Sequence, residues 1–130
     1  MREEVKTFLR RSMKFEKNAV WNLEQGDYDL AVFHVEQAMQ LLVKAKLLEV
    51  VGDFPKTHNI VTLLELLCKI TQDENIEKFI KENKVKLARL IDAYISSRYF
   101  VREFYREEAV EALNLLKELK SLLKVGRLEC

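Results

Sequence analysis

The chain has 130 residues, 48% of them hydrophobic and 33% charged, enough apolar surface for one domain with its own core and too much for a chain disordered in its main state. Lys and Arg number 22 against 21 Asp and Glu, and a net charge of +1 gives no overall pull toward nucleic acid or a membrane. No stretch approaches the ~20 apolar residues that a bilayer requires, and the residues after Met1 form no apolar leader core, so a cytoplasmic protein without a membrane contact is expected.

Residues 2–25 carry Val5, Phe8, Leu9, Ser12, Met13, Ala19, Val20 and Leu23 at three- and four-residue steps, which predicts a helix with that face inward. Gly26 can end it in the left-handed conformation, and Asp27 is placed to cap the next helix. Residues 28–51 hold a seam of Ala31, Val35, Ala38, Leu42, Ala45 and Leu48 flanked by Phe33, Met39 and Leu41. A helix apolar around so much of its circumference is expected at the centre, with neighbours on several sides. Gly52 closes it, with Pro55 just beyond.

A third helix is predicted from Thr57 or His58 to about Thr71, with Ile60, Leu63, Leu64, Leu67 and Cys68 facing inward. Thr71 and Glu74 have capping-box spacing, so a fourth helix can start there. It carries Ile76, Phe79, Ile80, Leu87, Leu90, Ile91 and Tyr94, and Asn83 interrupts the seam, which suggests a break at 82–84. Ala109, Leu113, Leu116, Leu119 and Leu123 mark the last helix, residues 107–125, closed by Gly126. No segment alternates with period two. The expected fold is all-α: an antiparallel up-and-down bundle of about five helices in one domain spanning residues 1–130. The tetratricopeptide-like Gly26–Ala31 segment does not recur 34 residues on, so a repeat array is excluded.

Standard constellations are absent: no Gly-rich phosphate loop, no His-Glu-x-x-His, no Cys-x-x-Cys. Cys68 reads as a small core residue, and Cys130 is terminal. His34 and His58 are too few and too far apart for a metal site. The first reads as a hydrogen-bonded, partly buried residue and the second as a helix-start residue with a capping or packing role. No metal and no cofactor is expected. Residues 78–106 stand out, with eight basic against three acidic residues: either a solvated face or a patch that meets RNA or a nucleotide. Within them Arg98 falls four residues after Tyr94, on the apolar seam. A guanidinium there needs a carboxylate such as Asp92 or Glu103, a phosphate, or a dimer cleft to face.

Three stretches resemble the HEPN domain, the higher eukaryotes and prokaryotes nucleotide-binding domain. Asp27 to Ala38, leading to Lys44-Ala45, resembles the family's second helix. Thr57-His58-Asn59-Ile60 with Leu63-Leu64 resembles the start of its third. Ala93-Tyr94-Ile95-x-x-Arg98-Tyr99 resembles its alanine-Arg-Tyr-Pro segment, with Phe100 in place of the proline. The resemblance implies a helical bundle, commonly a homodimer. It also implies either a two-component system with a minimal nucleotidyltransferase, often of toxin–antitoxin type, or a metal-independent ribonuclease with an Arg-x4-6-His motif. From Arg98 that histidine should fall at 103, 104 or 105, which hold Glu103, Phe104 and Tyr105. Glu103 or Tyr105 would have to act as a substitute base. Some toxin members have a tyrosine, at the spacing of Tyr105, that the partner enzyme modifies with adenylate; otherwise Tyr105 packs where the last helix turns in.

The leading expectation is a nucleotide- or RNA-binding and partner module, not an enzyme, with Arg98, Tyr99 and Arg102 as ligand-binding residues. A ribonuclease toxin with catalytic Arg98, Glu103 or Tyr105, and a dimeric scaffold without a ligand, are the alternatives.

Overall fold

The computed structural model describes residues 2–99 and 102–126, and of residues 96–99 the backbone only. Five helices occupy it: α1 (Glu3–Gln25), α2 (Tyr28–Val51), α3 (Ile60–Thr71), α4 (Glu74–Tyr99) and α5 (Arg106–Leu123). Among the described residues there is no strand.

The four long helices alternate in direction. Gly26, at φ 80°, ends α1, and the Asp27 N–H donates back to the Asn22 carbonyl at 2.8 Å, so the chain reverses within two residues. The resulting α1–α2 hairpin is held along its length: Ser12 Oγ donates to the Ala38 carbonyl at 2.7 Å, and Arg2 reaches the Leu48 carbonyl at 3.3 Å. Asp27 is the N-cap residue of α2 as expected, but its side chain makes no capping hydrogen bond. Gly52, at φ 82°, closes α2, and a Cβ there would stand 3.0 Å from the Arg2 guanidinium.

The connection 53–59 folds back along α2 rather than away from it. Phe54 packs on Phe8, with ring centroids 5.4 Å apart, and lies under the Lys44 ammonium. The short α3 therefore starts beside the middle of α2 and stands outside the alternation of the long helices. Asn59 is its cap, accepting from the Thr62 N–H at 3.0 Å. The predicted start at 57–58 is thus two to three residues early, because Thr57 closes a local turn onto the Asn59 N–H.

Thr71 does not cap α4. It ends α3, donating to the Leu67 carbonyl, and Asp73 accepts from the Asn75 N–H in its place. The expected break at 82–84 is absent. Asn83 is buried and donates to the Phe79 carbonyl at 2.9 Å, so its amide is satisfied within its own helix and α4 runs through. Tyr94 stacks on Phe33 near the start of α2, with centroids 5.4 Å apart, so α4 runs antiparallel to α2. α5 returns with its own end at Glu49, whose carboxylate accepts from the Gly126 N–H at 3.0 Å.

α2 is central and packs against all the others, as its composition requires. Its own Met39 and Leu47 are fully buried, as are Leu63, Leu64, Leu67, Leu87, Leu116 and Leu119 of its neighbours. Each such leucine stabilises the fold by roughly 1.5–3 kcal/mol. The predicted inner face of α1 holds for Val5, Ser12 and Ala19 and fails for Met13 and Val20, which are exposed beside Trp21. No helix among the described residues is long and apolar enough to cross a membrane.

Candidate functional site

The end of the bundle where α4 passes to α5 collects the residues that the sequence singled out. α4 stays helical through Tyr99, so Arg98 lies one turn beyond Tyr94 as the spacing requires. The side chains of Arg98 and Tyr99, like all of Phe100 and Cys130, lie outside the described residues.

Arg102, Glu103, Phe104 and Tyr105 form the approach to α5. Phe104 is buried, and the Arg102 guanidinium lies 3.5 Å from its ring centroid. Arg102 binds both carboxylate oxygens of Glu108, at 3.2 and 2.9 Å, and donates to the Glu103 carbonyl at 2.9 Å. Glu108 also accepts from the Tyr105 N–H at 3.0 Å, closing the first turn of α5. Its hydrogen bonds to Arg102 hold the Glu108 carboxyl below the usual range, and the same pair holds Arg102 above its own. Arg102 therefore acts as a clasp on the linker. Glu103 is exposed, and its carbonyl joins the clasp.

Tyr105 does not pack into the bundle. It is 58% exposed and stands at the rim of a groove of about 330 Å³ between α4 and α5. Val32, Leu90 and Ala112 line its floor, and Lys86, Arg89 and Glu111 share the rim with Tyr105. Lys86 also borders the adjoining hollow beside Arg106 and Glu118. An exposed aromatic ring with two cations over an apolar floor can take a flat ring and an anionic group together. The basic stretch was legible in sequence; that Lys86 and Arg89, one turn apart, meet Tyr105 was not.

A second polar cluster lies inside. Glu36, Gln40 and Lys44 follow one another at four-residue steps on α2, and all three are buried. The Gln40 amide nitrogen stands 2.8 and 2.7 Å from the two Glu36 oxygens, and Gln37 adds a third contact at 3.2 Å. Burial pushes the Glu36 carboxyl up to about 7, against the pull of Gln40, Gln37 and Lys44. Burial likewise lowers Lys44, with Glu36 opposing. His58 Nδ1 lies 3.2 Å from the Gln40 amide oxygen. His34 is half-buried with Nδ1 2.6 Å from Asn22 Oδ1, the hydrogen-bonded role expected of it, and burial lowers its pKa. No group of His, Cys, Asp and Glu among the described residues could hold a metal ion.

The HEPN domain family model matches residues 5–126. The chain is a HEPN domain. No curated protein and no solved structure matches it. The stretches that carry the resemblance now have places in this HEPN domain. Asp27–Ala38 forms the cap and first half of the central helix, Thr57–Ile60 the turn and cap that lead into α3, and Ala93–Tyr99 the last turns of α4.

Proposed function

We propose that this HEPN domain is a cytoplasmic binding and partner module whose α4–α5 groove takes the base and phosphate of a nucleotide or an RNA strand. The observation that carries the reading is the Tyr105 ring, open to water beside Lys86 and Arg89. Its face suits base stacking, and the two cations suit phosphate oxygens. Arg98 and Tyr99, on the last turn of α4, extend the same basic end. Arg102 serves the site by clasping the linker that presents Tyr105. The free thiol of Cys68 fits a reducing compartment.

A minimal nucleotidyltransferase, in a two-component system of toxin–antitoxin type, is the protein partner this reading favours. An open tyrosine at the spacing of the adenylated one fits it. What supports binding over a ribonuclease is the sequence Glu103-Phe104-Tyr105 where the histidine would stand.

Titration of a fluorescent single-stranded RNA and of ATP against wild type, Tyr105→Ala and Tyr105→Phe tests the groove. Loss of one stacked base is worth roughly 1–3 kcal/mol. Tyr105→Ala should therefore weaken binding about 5- to 150-fold, and Tyr105→Phe should keep most of it. Equal binding by all three would remove Tyr105 from the site. EDTA-resistant RNA cleavage, abolished by Arg98→Ala, would establish the ribonuclease instead.

A homodimer is the second part of the proposal. α1 exposes Met13 (54%) and Trp21 (60%) with Val20 between them, an apolar strip on an otherwise charged face. Lys6 and Arg10 flank its first half and Glu24 its far end. Two copies crossing antiparallel on α1 would bring these opposite charges together. Light scattering should find a dimer that Trp21→Arg converts to a monomer; a dimer indifferent to that change places the interface elsewhere.

A further inference from the structure

The row Glu36–Gln40–His58 joins the interior of α2 to the α2–α3 connection by hydrogen bonds whose polarity is determined by chemistry. An ionised carboxylate can only accept. With both Glu36 oxygens facing it, Gln40 must present its NH2 group to them, at 2.8 and 2.7 Å. Its carbonyl oxygen then faces His58 and can only accept. The 3.2 Å contact therefore requires a proton on His58 Nδ1. In a neutral imidazole one ring nitrogen carries the proton and the other a lone pair, so Nε2 is left as an acceptor. The ring is exposed, and among the described residues no group meets Nε2.

We infer that Glu36 and Gln40 are positioning residues that hold neutral His58 in its Nδ1–H tautomer while Glu36 is ionised, and that protonation of Glu36 reverses the polarity of the row. A protonated Glu36 can donate one O–H. Gln40 then turns its amide over, accepts from Glu36 and presents NH2 to His58 Nδ1. The ring responds by exchanging its proton through water to Nε2. The same exposed atom changes from an acceptor, suited to a ribose hydroxyl or an ammonium group, to a donor, suited to a phosphate oxygen.

Other groups around Glu36 leave this logic intact. On its own helix it faces Gln37, Gln40 and Lys44, and from the α2–α3 connection His58 reaches it through Gln40. Among the described residues, no side chain of α1, α3, α4 or α5 adds a hydrogen bond or a charge to the carboxylate. Burial raises the Glu36 carboxyl to about 7, so it can hold or release its proton near neutral pH, and the row reverses where the His58 ring is neutral.

The test is the 15N spectrum of the His58 ring in the full-length protein. At pH 9 wild type should show Nδ1 as the protonated nitrogen of the neutral ring and Nε2 as the unprotonated one, the reverse of the usual preference of free imidazole. Gln40→Met should return His58 to the Nε2–H form. Glu36→Gln, neutral at every pH and able to donate or accept, should lose the bias toward Nδ1–H. If Gln40→Met does not fold, wild type and Glu36→Gln decide alone. A wild-type ring in the Nε2–H form at pH 9, or a bias toward Nδ1–H that survives Glu36→Gln, overturns the inference.

Discussion

Glu36 and Glu108 are both helical glutamates whose two oxygens are hydrogen-bonded, and their carboxyls move in opposite directions. Glu108 sits at the rim, bonded by the Arg102 guanidinium and a backbone N–H, and is held below the usual range. Glu36 is 1% exposed, bonded by the neutral amides of Gln40 and Gln37, and is pushed up to about 7. Neutral amides satisfy the geometry of a carboxylate without offsetting the loss of water; a guanidinium at a wet surface does both. This difference separates the two polar regions of the domain. The α4–α5 end uses its charges to pin a linker and present a groove. The row inside α2 is left with a group that can change its protonation near neutral pH.

Gln40→Met leaves the ionised Glu36 without its main donor, and stability at pH 8 should fall by about 3 kcal/mol, less at pH 5. Urea denaturation at the two pH values measures this; an equal loss at both would mean that the cost is packing alone.

The folded pKa of Glu36 lies above the unfolded value, so between about pH 4.5 and 7 the native state keeps a proton that the unfolded chain has released. Stability contributed by this group is full below that window and is lost as pH rises through it. Glu36→Gln should remove that slope and be more stable than wild type at pH 8 by roughly 3 kcal/mol, as the carboxyl rises from 4.5 to about 7 and one pKa unit corresponds to about 1.4 kcal/mol. A slope that persists in the variant would assign it to another group.

Glu108→Gln should show the smaller effect and the opposite sign. Its folded pKa is depressed, so its contribution is present above the unfolded value and lost as pH falls through the folded one. The pair is about one-third exposed on each side, so screening limits the loss at pH 7 to about 1 kcal/mol. In thermal melts the difference between variant and wild type should be full at pH 7 and shrink as the pH is lowered below the unfolded value.

Much of the bundle was legible because punctuation was clear where it existed. Gly26 and Gly52 end their helices in the left-handed region, and the apolar run of α2 gave its central place. Between Pro55 and Gly126 there is neither Gly nor Pro, and there the reading failed in detail. Asn83 looked like a break because a polar residue on a seam usually faces water; its amide instead bonds the preceding turn. Toward the candidate site, Arg98 was singled out by its spacing from Tyr94 and Tyr105 by the family resemblance. The Arg102–Glu108 clasp was missed because it pairs a linker residue with one six positions on, across a helix start. The row Glu36, Gln40, Lys44 was missed for a different reason. Polar residues at four-residue steps read as a solvent face, and only a helix surrounded by its neighbours has none on that side.

The most direct measurement on the central claim is RNA binding by wild type and by Lys86→Ala/Arg89→Ala across a salt series, with helicity checked by circular dichroism. If the groove beside Tyr105 holds phosphate, the double variant should bind more weakly at every salt concentration, with a slope in log affinity against log salt shallower by about one to two units. Unchanged affinity and an unchanged slope in a folded variant would contradict the account and move the binding surface away from the α4–α5 groove.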